Sequence, residues 1–330
     1  MRDVDPPIVR GLDAIVPAPS CVTIGNFDGV HRGHQLLLRR TVDAALARDA
    51  RSVAITFDPH PAAVLRPGTE PPLLSTVDER TRRLADAGVD LVVVLPFTLE
   101  LSKRTPEEFV TQVLVDRLQA CRVIVGTNFR FGHGAAGDLV TLVETGQVHG
   151  FDVEAVALRE IDGVAVSSSA IRAALARGDV DFAARALGRD FTITATVIPG
   201  DGRGRTIGVP TANLEVDDMV VLPATGVYAG QVELDGALWP CVSNIGVRPT
   251  VSDDAQVSAE CHVIDAPDGL DVYGKQLTVS FAHRLRGEAR FASLDALVAQ
   301  IGRDVDAART WVATNRGAPP AVGRPAEFDG

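Results

Sequence analysis

Residues 21–35 read Cys-Val-Thr-Ile-Gly-Asn-Phe-Asp-Gly-Val-His-Arg-Gly-His-Gln. The run Cys21, Val22, Thr23, Ile24 favours a buried strand. Gly25 and Gly29 break it, and beyond His34 the apolar residues Leu38, Val42, Ala45 and Leu46 fall at helical spacing. A strand, a glycine-punctuated turn and a helix start aim unpaired backbone N–H groups and the positive end of a helix dipole at whatever lies over the turn. Into that turn the chain places His31 and His34, three residues apart and on one side of the nascent helix. Both imidazoles can donate to one anion, and Gly33 between them lets a base or sugar approach the backbone. The turn holds no evident nucleophile or base, so its chemistry is stabilisation of charge developing on a phosphate. Capping of the helix or capture of a metal is the competing account of two histidines at this spacing.

Outward from this turn the pattern repeats. Residues 51–57 predict a second strand running into Asp58-Pro59-His60-Pro61, a rigid loop at the strand's carboxyl end, where ligands bind in open parallel sheets. His60 there either faces a ligand or stabilises the loop. Residues 77–87 predict a helix, 91–95 a third strand, and Thr105-Pro106-Glu107-Glu108 the capped start of a helix ending near Ala120. A strand at 123–125 leads to Asn128, a hydrogen-bonding side chain, and to Phe129 and Phe131, apolar faces of which at least one belongs to the core. A strand at 153–158 precedes Ser167, Ser168 and Ser169 at a helix start, with Arg172 one turn in, which together make a second anion site. Strand alternating with helix predicts a doubly wound α/β domain, Rossmann-like, closed by a short helix from Asp179 to Leu187.

From Phe191 the texture changes to short alternating strands, predicted near 192–197, 226–234, 238–244, 257–264 and 276–281. They predict a small antiparallel β-barrel. Glycines 200, 202, 204 and 208 lead to no helix, so they form a flap and not a dinucleotide fingerprint. A closing helix from Ser293 is expected to bury Leu294, Leu297, Val298, Ile301, Val305 and Val312. The predicted division is 1–187, 188–315 and a disordered tail over 316–330.

At 330 residues the chain has room for two cores, and its formal charge of −11 does not favour a nucleic-acid or anionic-membrane partner. Lys103 and Lys275 are its only lysines and no GxxxxGK[ST] string occurs, which excludes a P-loop. The four cysteines form no CxxC pair, and no signal peptide or long apolar run is present, so a cytoplasmic protein with buried, reduced thiols is expected.

The turn resembles the HxGH motif of nucleotidyltransferases, and the longer string GNFDGVHRGH resembles, more narrowly, the bacterial bifunctional riboflavin kinase/FAD synthetases. Thr-Phe-Asp-Pro-His-Pro (56–61) is similar to that family's second signature, and Pro210-Thr211-Ala212-Asn213 to the riboflavin kinase PTAN motif. Ser-Ser-Ser-x-x-Arg over 167–172 departs from the usual Ser-Ser-Thr-x-x-Arg but keeps the hydroxyl at Ser169. The uncharged Gly134-Ala135-Ala136 stands where the family often has basic residues. The resemblance implies FMN adenylyl transfer in the first domain. His31 and His34 would act on the α-phosphate, and Gly25, Asn26, Phe27, Asp28, Gly33, Asn128, Ser168, Ser169 and Arg172 would bind nucleotide. It implies riboflavin phosphorylation in the barrel, with Glu260 as base, Thr211 and Asn213 on Mg2+ and phosphates, and Gly208 at the nucleotide. His60, Phe129 and Arg248 would meet flavin. Substrates would be ATP, riboflavin and FMN, with no nucleic acid or membrane partner and an oligomer open. The alternatives are another nucleotidyltransferase with an accessory barrel, or one whose barrel binds flavin in a regulatory, non-catalytic way.

Overall fold

A computed structural model describes residues 7–200, 204, 208–248, 256–267 and 270–316. The expected tail beyond Arg316, most of the glycine-rich flap and the Arg248 side chain lie outside them. By internal contacts the chain divides into two units, residues 1–170 and 171–330.

The first unit is a six-stranded sheet in the order β1-β4-β3-β2-β5-β6, every neighbouring pair parallel. The strands are β1 (Ile8–Arg10), β2 (Ser20–Ile24), β3 (Arg51–Asp58), β4 (Leu91–Pro96), β5 (Ala120–Gly126) and β6 (Asp152–Val156). Helices α1 (Arg32–Leu46), α2 (Pro61–Leu65), α3 (Val77–Asp86), α4 (Pro106–Phe109) and α5 (Leu139–His149) connect them. Two apolar clusters show why the central strands read as continuous hydrophobic runs. Val22, Ile55 and Val93 pack with Val110, Leu114 and Leu142 in one cluster, while Ala54, Val92 and Ile124 pack with Leu38, Ala45 and Leu84 in the other. The chain runs outward in both directions from β2, so the topological switch point lies between β2 and β5.

The predicted strands are all present. Three things differ. β1, α2 and α5 were not expected, although Asp138 accepts the Thr141 N–H as an N-cap and Gly150 closes α5 in the left-handed conformation. The helix opened by Thr105 turns π-helical over Val110–Val115 and stops short of Ala120. A small hairpin, β7 (Glu160–Ile161) with β8 (Val164–Ala165), precedes α6 (Ser168–Ala176). The division between the units falls within α6, after Ala170.

The second unit holds α7 (Val180–Leu187), β9 (Phe191–Ile198), β10 (Ala212–Glu215), β11 (Gly226–Leu234), β12 (Ala237–Arg248), β13 (Gln256–Val263), β14 (Gln276–Phe281), β15 (His283–Arg286) and α8 (Leu294–Arg316). Strands β12-β13-β10-β9-β14-β11 form an antiparallel ring that the β11–β12 pairing closes, and β15 adds alongside β11. Phe191, Ile193, Ala195 and Val197 of β9 alternate inward, the two-residue period of a small filled barrel. Ser293 caps α8 by accepting the Ala296 N–H, as the sequence predicts. The expected buried stripe is corrected: of its residues only Val312 is buried, while Leu297, Val298, Ile301 and Val305 are half-buried. Leu294 is 61% exposed, because it opens the first turn, and the fully buried residues are Asp304, Ala308 and Val312. Asp304 tolerates burial because Arg286 donates Nε and Nη2 to it at 3.0 and 2.8 Å and Gln300 adds a third bond.

Candidate functional site

The carboxyl ends of β2, β3 and β5 carry the predicted residues of the first unit. Gly25 follows β2, and Phe27 and Val30 then take left-handed φ values of 51° and 42°, rare for an aromatic and a β-branched residue. The turn is held from outside. Asp28 is buried and its carboxylate accepts the backbone N–H groups of Leu74 and Ser75, while the Gly29 N–H donates to Ser75 Oγ. Phe27 is fully buried, its ring edge-on to His34 at 5.1 Å. The side chains of Phe27 and Asp28 therefore build the turn.

His31 caps α1: its Nδ1 accepts the His34 N–H at 3.3 Å. In the neutral ring the proton then sits on Nε2, which makes that atom a donor. The two imidazoles stack, with centroids 3.5 Å apart and planes 16° off parallel. A Cβ on Gly33 would sit 3.1 Å from the His31 ring, so the absent side chain keeps that ring in place as well as opening the backbone. Burial, the facing His31 ring and the Arg80 charge hold the His34 pKa well below the ordinary histidine value, so this ring is neutral at pH 7.

The neighbouring loops converge on the same turn. His60 caps α2, Nδ1 accepting the Ala62 N–H, and its Nε2 lies 3.1 Å from the Asn26 amide. Ser168 donates to the Asp28 carbonyl at 3.0 Å. Ser167 supplies the N-cap of α6 through the Ala170 N–H; Ser169 is exposed and Arg172 half-buried one turn on. Asn128 is exposed in the turn after β5, and Phe129 stacks on the buried Phe131 at 5.4 Å. Arg80 was not foreseen. It lies on α3, is 2% exposed, and donates to the Asn26 and Phe57 carbonyls at 2.7 and 3.0 Å. The signal for it was the Thr76–Glu79 capping box, which fixes where α3 starts and which way Arg80 faces.

In the second unit the PTAN segment enters β10. Antiparallel register sets Asn213 opposite Glu260, and Glu260 opposite Asn244 of β12, so the three share one row on the outer face. Thr211 Oγ1 lies 3.4 Å from Glu260 Oε2. His262, two residues along β13, reaches the Pro210 carbonyl through Nδ1 at 2.7 Å and holds the segment's start. A Cβ on Gly200 would collide with the Asn213 amide and displace it, so glycine there leaves the amide in its place. Gly208 sits at a positive-φ turn just before the motif. Asn244 and His262 were not foreseen, since register alone brings them here.

Comparison with known proteins matches this division. Residues 14–170 match the FAD synthetase family and residues 187–312 the riboflavin kinase family. The chain is 43% identical over 308 residues to the bifunctional riboflavin kinase/FMN adenylyltransferase of Pseudomonas fluorescens, covering 93% of this chain and 98% of that protein. It is 39% identical to the enzyme of that name from Escherichia coli K12, over 92% of this chain and 97% of that protein. A crystal structure titled macrolide-efflux protein, from Streptococcus pneumoniae, superposes with a TM-score of 0.84 at 29% identity, covering 93% of this chain and all of that one. Among the described residues, no helix is long and apolar enough to cross a membrane. With a FAD synthetase segment followed by a riboflavin kinase segment over nearly its whole length, this chain belongs to the bifunctional riboflavin kinase/FMN adenylyltransferases, which act on ATP and flavins.

Proposed function

We propose that each reaction of the family belongs to one of the two clusters. ATP and riboflavin give FMN and ADP on the outer barrel face, within residues 188–315; ATP and FMN give FAD and pyrophosphate at the histidine turn, within residues 1–187. The observation that carries this reading is the row Asn244–Glu260–Asn213 with Thr211 beside it, set against the stacked imidazoles at the start of α1.

On the barrel, Glu260 accepts the proton of the riboflavin 5′-hydroxyl as that oxygen attacks the γ-phosphorus and ADP leaves. The Thr211 hydroxyl and the Asn213 amide oxygen, beside a carboxylate, are the hard oxygen donors that suit Mg2+. Mg2+ held there supplies charge neutralisation on the ATP phosphates. Gly200 and Gly208 bring backbone close to the nucleotide, and Arg248 is assigned to flavin.

At the turn, an oxygen of the FMN phosphate attacks the α-phosphorus and the bond to the β-phosphate breaks, releasing pyrophosphate. The attacking phosphate is already ionised, so no base is required. His31 Nε2–H and His34 donate to the α-phosphate in the transition state. Ser168, Ser169 and Arg172 hold the β- and γ-phosphates, while Asn26, Gly33 and Asn128 line the nucleotide and His60 and Phe129 the flavin. ATP and free flavins are cytoplasmic metabolites, and we place the enzyme there.

The test is a separation of activities by flavin chromatography. Glu260→Gln is expected to stop FMN formation while FAD still forms from supplied FMN, and His31→Ala to do the reverse. Loss of both activities in either variant overturns the two-centre reading.

A further inference from the structure

The turn that carries His31 and His34 is bent at two positions that disfavour it, Phe27 and Val30, and such backbone persists only where its surroundings hold it. Asp28 and Ser75 clasp one side. The other side is clasped by Arg80. Its Nη1 donates to the Asn26 carbonyl, which also accepts from Thr56 Oγ1 at 3.0 Å, and its Nη2 donates to the Phe57 carbonyl. One guanidinium thus joins the loop after β2, which leads to the imidazoles, to the end of β3. A fully buried cation is costly unless paired. Here Asp28 of the turn and Asp58 at the end of β3 oppose the desolvation that burial imposes on Arg80.

We propose that Arg80 is a positioning residue for adenylyl transfer, tying the Asn26 and Phe57 carbonyls together and so fixing the turn that carries His31 and His34. The role rests on the assignment of His31 and His34 to that reaction. Two consequences separate it from simple support of the fold. The rigid turn holds the imidazoles where the α-phosphate must pass, so Arg80 acts on the chemical step more than on binding. Its charge also adds to burial and the facing His31 ring in holding the His34 pKa down, so that His34 acts at pH 7 by hydrogen bonding. The charged and titratable groups around His34 are His31 on its own turn, Arg80 from α3 and, acting on Arg80, Asp28 and Asp58.

The experiment compares Arg80→Met, Arg80→Lys and His31→Ala in the full chain. Rates of FMN-to-FAD and riboflavin-to-FMN conversion are measured, with an NMR titration of the histidine rings. Arg80→Met is expected to lower kcat for FAD formation about 100-fold with KM for ATP and FMN changed by less than about threefold. FMN formation is expected to be untouched and the His34 titration to move to higher pH. Arg80→Lys, which keeps the charge and can still donate, is expected to recover kcat to within about tenfold and to leave the His34 titration in place. Unchanged kcat in Arg80→Met overturns the proposal. Equal losses in both variants with an unmoved His34 titration also overturn it, and so does unfolding of both, each showing support of the fold alone. If His31→Ala still makes FAD, the underlying site assignment has failed; if it does not while Arg80→Met does, only the role of Arg80 has.

Discussion

The two centres of this chain are built by opposite means. The histidine turn is a loop held by distant parts of the first unit: Ser75 and Arg80 from the segment before and within α3, and Ser168 from the start of α6. The barrel centre is set chiefly by pairing: Asn213, Glu260 and Asn244 meet by strand register, and the His262 contact to the Pro210 carbonyl holds the segment before β10. A centre built by a loop can be damaged from many sequence positions that never touch substrate. A centre built by register is robust to its surroundings and fragile to anything that shifts a strand by one residue, since that turns the whole row to the other face.

The sharpest way to break the comparison is Glu260→Gln. Removal of a general base is expected to lower FMN formation by about 10²–10⁴-fold, read as flavin products, with FAD formation from FMN intact. His31→Ala is next, at about 10²–10³-fold in FAD formation, the scale for loss of one positioned donor. If the barrel is sensitive only near its row, Gly200→Ala must matter, because the new methyl collides with the Asn213 amide. We expect FMN formation to fall by about tenfold or more while FAD formation does not change. Asp304→Ala tests the opposite claim, that barrel support is structural. It strands Arg286 and is expected to cost about 3–5 kcal/mol in urea unfolding of the second unit, with FAD formation unaffected at low denaturant. The smallest effect is a pH dependence in the first unit. His34 binds its proton less readily when folded, so below about pH 6.5 the unfolded chain takes up more protons. Stability of that unit is expected to be full above this pH and to fall as the medium becomes more acid; a denaturation series over pH 5–8 measures it.

Much of the architecture was legible in residue patterns. The run at 91–95 is apolar at every position because β4 is covered on both faces, and the alternation of 192–197 is that of a wall with one inner face. Caps announced their helices at Thr105 and Ser293. β1 was missed because an edge strand of three residues has no periodicity to show. The stripe of α8 was misjudged at Leu294 and Asp304, because burial there depends on which partner reaches the helix and not on side-chain polarity. Within the sites, the motif residues were readable, but their jobs were not. Phe27 and Asp28 stand in a motif whose resemblance implies nucleotide binding, and their side chains are also the buried supports of its turn.

Local order therefore settled the two textures, the turn with its paired imidazoles and the Thr-x-Asn segment, since each is a matter of spacing within a dozen residues. Folding in three dimensions decided the rest: that Arg80 lies beneath a turn more than forty positions earlier, that Glu260 faces Asn213, and that His34 stays uncharged at pH 7. The reason is physical. Hydrogen bonds, desolvation and charge act over a few ångströms through space, and no pattern along the chain reports which distant groups will come that close.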